Sequence, residues 1–194
     1  LAILATLIAL VKTGQLARLG TRTPEDLSAL VEALNQQQIE KAQSLASHVR
    51  PPQVDLIRYG IEHHHQSRLL LEELLEERIF IVKAKLERAL PWIAVTAASA
   101  PLLGLLGTVT GMIDTFGLIA AYGSGDPKLL SSGISEALIT TKFGLGMAIP
   151  AMLVHAFLNR KVKRIVVAME QTAWRFVNEL HTQRGNAFSE GRGQ

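Results

Sequence analysis

Two long apolar segments joined by a short polar turn constrain this chain more than anything else in it. They occupy residues 92–158, WIAVTAASAPLLGLLGTVTGMIDTFGLIAAYGSGDPKLLSSGISEALITTKFGLGMAIPAMLVHAFL. From Ile93 to Ala121 the one formal charge is Asp114, and from Ile134 to Leu158 the charges are Glu136 and Lys142. A helix rises ~1.5 Å per residue, and about 20 residues cross a ~30 Å hydrocarbon core, so each segment is long enough to span a membrane. Gly123, Gly125 and Pro127 punctuate the stretch between them as turn formers. The pattern predicts a transmembrane hairpin. The alternative is a hairpin buried in a soluble core, but 194 residues offer too little other apolar surface to cover two such helices.

Each segment carries a stripe of small residues at helical spacing. Ala97, Pro101, Gly104, Thr108, Gly111 and Thr115 fall on one face of the first, with Gly107 and Gly111 adding a GxxxG. Ala137, Thr141, Gly144, Ala148 and Ala151 fall on one face of the second. In lipid, small residues let helices approach closely, and helix packing alone accounts for such faces. Ionisable residues inside a membrane usually face protein or water, so Asp114, Glu136 and Lys142 add a second reading, in which the small faces border a polar path.

APLLGLLGTVTGM followed by GISEALITTKFGLGMAIPAM resembles the proton-channel family of ExbB, TolQ and MotA, most closely its ExbB/TolQ branch. The resemblance covers residues 92–158 and extends to the flanking helices by architecture alone. It implies that Thr108 and Thr141 are pore-facing threonines and that Glu136 is the family's acid, with Thr140 one helical turn beyond it. It also implies a cyclic homo-oligomer, a pentamer, in the bacterial inner membrane. An ExbD-like single-span partner would sit in the central pore, bringing the aspartate that is protonated. Proton flow would then drive a TonB-like protein and power import across the outer membrane. A TolQ-like role in envelope integrity, or a gliding or flagellar-type stator, fits the same motifs. A membrane scaffold that conducts nothing is the rival from another class. Many relatives carry a small residue in place of Lys142 and an amide in place of Asp114, which leaves the choice between H+ and Na+ open. No enzymatic activity, cofactor or metal is expected.

Outside the hairpin, LAILATLIALV (1–11) is expected to be the end of a first transmembrane helix whose start precedes Leu1. Thr23 and Pro24 read as a cap and first helical position, followed by Leu27, Leu30, Val31 and Leu34 at helical spacing. A polar helix is expected over 36–49, ended by Pro51 and Pro52. One unbroken amphipathic helix is expected from Gln53 to Leu90, with Leu69, Leu70, Leu74, Leu75, Ile79, Val82 and Leu86 as its apolar face. His63, His64 and His65 are ~100° apart on a helix and so do not converge on one ion; they read as a solvated helix face. Val162, Ile165, Val166, Met169, Ala173, Phe176, Val177 and Leu180 extend the last span as an amphipathic helix.

The fold class is therefore all-α: three transmembrane helices with long cytoplasmic helical extensions. Residues 1–11 end the first span, 12–91 form a cytoplasmic helical domain, 92–121 and 133–158 are the second and third spans, 122–132 is a periplasmic loop, and 159–194 is a cytoplasmic extension. The sides follow from charge. Arg78, Lys83, Lys85 and Arg88 precede the hairpin, and Arg160, Lys161, Lys163 and Arg164 follow it. Lysine and arginine stay on the cytoplasmic side. The formal net charge of +3 comes from bases clustered beside the spans without interleaved aromatics, which argues against nucleic acid as a partner and leaves lipid. There is no cysteine, which excludes disulfides and thiolate metal sites. Lys142 needs a carboxylate in the membrane: Asp114 on the neighbouring span is the simplest choice, Glu136 would have to reach it from another subunit, and the partner's aspartate is a third candidate.

Overall fold

The computed structural model describes residues 2–17, 19, 27–47, 49–123 and 127–190. Among them every regular element is a helix: α1 (Ala2–Ala17), α2 (Leu27–Asn35), α3 (Ile39–Ser47), α4 (Gln53–Glu62), α5 (Arg68–Glu87), α6 (Leu90–Tyr122) and α7 (Pro127–Glu190). They divide into two compact units. One takes Leu1–Thr13 with Ala89–Asn159, and the other takes Gly14–Arg88 with Arg160–Gln194.

The first unit holds the hairpin. Its α6 and the first part of α7 belong to the two helices that are long and apolar enough to cross a membrane. Only 28% and 17% of their most apolar windows are buried, so these helices display their side chains instead of enclosing them. Leu102, Leu106, Val109, Ile113 and Phe116 on α6, with Leu138, Phe143, Ile149 and Leu153 on α7, are all exposed. A soluble core would do the opposite. Pro101 and Pro150 lie inside their helices, as membrane helices tolerate. The connection is shorter than the expected loop 122–132. Gly123 ends α6 at φ 78°, its N–H donating to Ile119 O at 2.8 Å, and α7 has begun by Pro127. With ψ 170° beside that positive φ, the conformation is one that only glycine takes up without strain. Proline suits a first helical turn because its missing N–H would be unpaired there anyway.

The second unit is a helical domain with a conventional core. Successive helices α2, α3, α4 and α5 pack on one another. The expected stripes are buried on α2 (Leu27, Leu30, Val31, Leu34) and on the later part of α7 (Val162 to Leu180). Gly60 of α4 makes room for the fully buried Phe176, since a Cβ there would lie 2.8 Å from the ring. Arg68 ties α5 to α7, donating to Glu72 at 2.9 Å and to Asn178 Oδ1 at 2.7 Å.

Three local expectations are corrected here. The helix expected over 36–49 starts at Ile39, because Gln36–Gln38 form a turn with Gln37 at φ 59°. The helix expected to run unbroken from Gln53 to Leu90 is interrupted between Glu62 and Arg68. His63 and His64 turn their Nδ1–H onto the carbonyls of Tyr59 (2.9 Å) and Ile61 (2.6 Å), and Ser67 caps α5 by accepting from Leu70 N–H. Such local side-chain bonds compete with helix continuation. The histidines therefore lie in a turn and not on a solvated helix face, and His64 is buried. On α5 the buried stripe is Leu71, Leu75 and Ile79, while Leu69 is exposed. Thr23 and Pro24 lie outside the described residues.

Candidate functional site: the small-residue seam of the hairpin

The seam between α6 and α7 is built from the residues the stripes single out. A Cβ on Gly104 would meet Thr141 Cα at 3.1 Å, and one on Gly107 would meet Thr140 Oγ1 at 2.5 Å. A Cβ on Gly111 would meet Ala137 Cβ at 2.8 Å, and one on Gly144 would meet the Ala100 carbonyl oxygen at 2.7 Å. At Gly104 and Gly144 backbone thus lies against backbone, while Gly107 and Gly111 make room for the Thr140 side chain and the Ala137 methyl. Gly133, which falls one turn ahead of the expected α7 stripe, abuts Thr115 and extends the seam toward the turn. Its place four residues before Ala137 was the available signal.

These contacts fix an antiparallel register. With Gly111 against Ala137 and Thr115 against Gly133, Asp114 stands opposite Ile134. Gly107 against Thr140 leaves Thr108 and Thr141 within about one residue of the same depth, or ~1.5 Å.

The register also sorts the polar residues by side. At ~100° per residue, Thr108 and Asp114 lie on opposite flanks of the α6 contact face, and Thr141 and Glu136 on opposite flanks of the α7 face. Antiparallel helices, viewed from one end, wind in opposite senses. The pairing of flanks that follows puts Thr108 and Thr141 on one side of the hairpin. Asp114, Glu136 and Thr140 fall on the other. A groove lined by Thr96, Leu103, Thr140, Phe143 and Met147 runs between the helices on that second side.

The hydroxyls are held by backbone. Thr108 donates to Leu105 O at 2.7 Å, and Thr141 donates across the seam to Gly104 O at 3.0 Å. Thr140 donates to Ala137 O at 2.7 Å. Each hydroxyl oxygen keeps acceptor capacity on its outer side, which is what a hydrated cation needs. Asp114, Glu136 and Lys142 are exposed on the single chain. Among the described residues no ion pair joins Lys142 to either acid. Asp114 lies eight residues from the level of Lys142, ~12 Å along the axis. His155 is half-buried. No group of three or more His, Asp or Glu side chains among the described residues is placed to hold a metal.

Among the described residues every regular element is a helix, and two exposed helices of membrane length packed through glycine and threonine outline an all-α membrane protein. Comparison with known proteins makes the class specific: residues 40–171 match the MotA/TolQ/ExbB proton channel family, and the chain belongs to it. The chain is similar to the biopolymer transport protein ExbB of Aquifex aeolicus, at 36% identity over 114 residues, covering 59% of this chain and 70% of that protein. It is similar also to the Tol-Pal system protein TolQ of Haemophilus influenzae, at 35% over 97 residues, covering 50% of this chain and 41% of the relative. A third relative is the biopolymer transport protein ExbB of Xanthomonas campestris, at 34% over 111 residues, covering 57% and 42%. This chain thus spans less than half the length of the latter two. The family is one of proton channels, not of enzymes.

Proposed function

We propose that this chain is the ion-conducting motor subunit of an ExbB-like complex in the bacterial inner membrane. It crosses the membrane three times, with α1, α6 and the first part of α7, and keeps the second unit in the cytoplasm. Several copies, five by resemblance, surround the single-span helices of an ExbD-like partner. Proton flow past Thr108 and Thr141 drives a TonB-like protein, with Glu136 and Thr140 serving the pathway from the other side of the hairpin. The observation that carries this reading is the placement of Thr108 and Thr141 at one depth and on one side of a glycine-packed hairpin. A TolQ-like role in envelope integrity is the second reading, favoured by the 35% identity to a TolQ protein.

The test is Thr108→Val and Thr141→Val. Valine keeps the volume and removes the hydroxyl. Both variants are expected to assemble at the normal oligomer size while losing proton-driven activity in cells. Normal activity in both removes the pore assignment, and full activity after Glu136→Gln as well favours a scaffold that conducts nothing. Which process fails when the gene is deleted, import across the outer membrane or envelope integrity, separates the ExbB from the TolQ role.

A further inference from the structure

We propose that the groove between α5 and the later part of α7 is a docking surface for an amphipathic helix of another protein, one that carries a base and an acid two turns apart with an apolar residue between them. The groove has a volume of about 410 Å³ and lies wholly within the second unit. Glu76, Phe80 and Lys83 line it from α5, and Val166, Glu170 and Trp174 from α7. Phe80 is 71% exposed and Trp174 55%, so two aromatic rings stand uncovered along one groove. Exposed apolar surface rimmed by charge marks an interaction site.

Charge decides what covers it. Arg68 against Asn178 sets the level of the antiparallel α5 and α7. Moving eight residues along each helix from that contact brings Glu76 level with Glu170. Glu73 and Glu77 are exposed beside Glu76. Among the described residues Glu76, Glu170 and Lys83 have neither an ion pair nor a hydrogen bond. Two carboxylates at one level across an open groove repel each other, and a cation between them is attracted to both. Phe80 stands one turn from Glu76 and Trp174 one turn from Glu170, so the same cation meets the faces of aromatic rings. Arginine suits this position best, because its planar guanidinium both binds carboxylates in a fork and stacks on rings. Lys83 lies seven residues beyond Glu76, ~10.5 Å along α5, and pairs with an acid on the same partner. Between the two levels Phe80 and Val166 take an apolar side chain. A helix laid in the groove supplies all three groups from one face in two turns. The inference concerns the second unit alone and does not rest on the ion pathway.

The experiment uses the full chain in dodecyl maltoside micelles. The sequence has 2 tryptophans, so Trp92→Phe leaves Trp174 to report alone. The probe is an alanine-based peptide of about 18 residues, long enough to be helical by itself. It carries arginine and glutamate seven positions apart with leucine between them. Matched peptides have glutamine in place of the arginine, or lysine in place of the glutamate. Binding is read as a blue shift of Trp174 emission and as its protection from acrylamide. The arginine peptide is expected to bind about tenfold more tightly than the glutamine peptide, the order of a partly desolvated cation–ring and charge contact. Glu76→Gln combined with Glu170→Gln should erase that preference, and Lys83→Glu should turn the choice toward the lysine peptide. Glu40→Gln, at an exposed acid on α3, should leave both unchanged. All of these variants alter exposed side chains, so the fold is kept. Equal binding of the arginine and glutamine peptides would overturn the proposal, as would a preference that survives the double glutamine variant. So would a Trp174 already shielded from acrylamide before any peptide is added, because a second copy of the chain would then fill the groove.

Discussion

Replacing Gly144 by alanine tests the seam most directly, because the added methyl meets backbone and not a side chain that can turn away. The new Cβ would lie 2.7 Å from the Ala100 carbonyl oxygen, 3.1 Å from Gly104 Cα and 3.3 Å from Gly104 N. Restoring ordinary contact requires the helices to part locally by ~0.7 Å. That separation stretches the 3.0 Å bond from Thr141 to Gly104 O beyond useful length. Overpacking of this kind costs about 1–3 kcal/mol. The lost interhelical bond adds about 0.6 kcal/mol by the membrane average. A loss of ~1.5–3.5 kcal/mol follows, partly offset by the ~1 kcal/mol by which alanine exceeds glycine in helix propensity. Gly146→Ala is the matched control: two residues away on the same helix, its Cβ would meet nothing within 4 Å. The assay is unfolding of the detergent-solubilised protein by added dodecyl sulfate, followed by energy transfer between labels at single cysteines on α6 and α7. The chain has no cysteine of its own, so the labels are unambiguous. Gly146→Ala should match or exceed wild type, and Gly144→Ala should unfold at clearly lower dodecyl sulfate. Equal stability of the two variants would refute the backbone-to-backbone seam.

Three further outcomes are expected. Phe176→Ala removes a fully buried ring from the helical domain and should cost about 3–5 kcal/mol, read as an earlier thermal transition by circular dichroism; an unchanged transition would show that Gly60 and Phe176 do not pack as described. A cysteine at Ser124 should react with an impermeant thiol reagent in intact spheroplasts while one at Ser67 should not, and the reverse pattern would overturn the topology. Lys142→Ala combined with Asp114→Asn should function no better than Lys142→Ala alone, since the register keeps the two apart; partial recovery in a complementation assay would restore the pairing within the chain.

Much of the site was legible because it repeats at the helical period. Glycine, alanine and threonine recurring every three or four residues marked the faces that meet, and Gly104, Gly107, Gly111 and Gly144 all lie in the seam. The apolar stripes of α2 and of the later part of α7 were equally plain, and their residues are buried. The break before α5 was less visible. The apolar residues lapse between Ile61 and Leu69, but the sharper signal was local, in histidines able to bond backbone carbonyls and in Ser67 standing as a cap. That Asp114 and Lys142 form no ion pair within the chain was illegible for a different reason. Spacing along one helix says nothing about the level of a residue on the other.

Composition and periodicity by themselves determined that this chain builds a hairpin of membrane length and which face of each helix is narrow enough for close approach. Those are properties of single helices, set by side-chain size at fixed angular steps. Register belongs to the pair. Sliding α7 by one turn against α6 would bring small residues together almost as well, yet it would move Thr141 ~5.4 Å from the level of Thr108. The individual fits decide it: Gly144 beneath the Ala100 carbonyl, Gly111 against Ala137, Gly133 against Thr115. That register brings the two threonines to one depth, and the antiparallel packing of the helices converts their angular offsets into sides, with the two threonines on one and the two acids on the other.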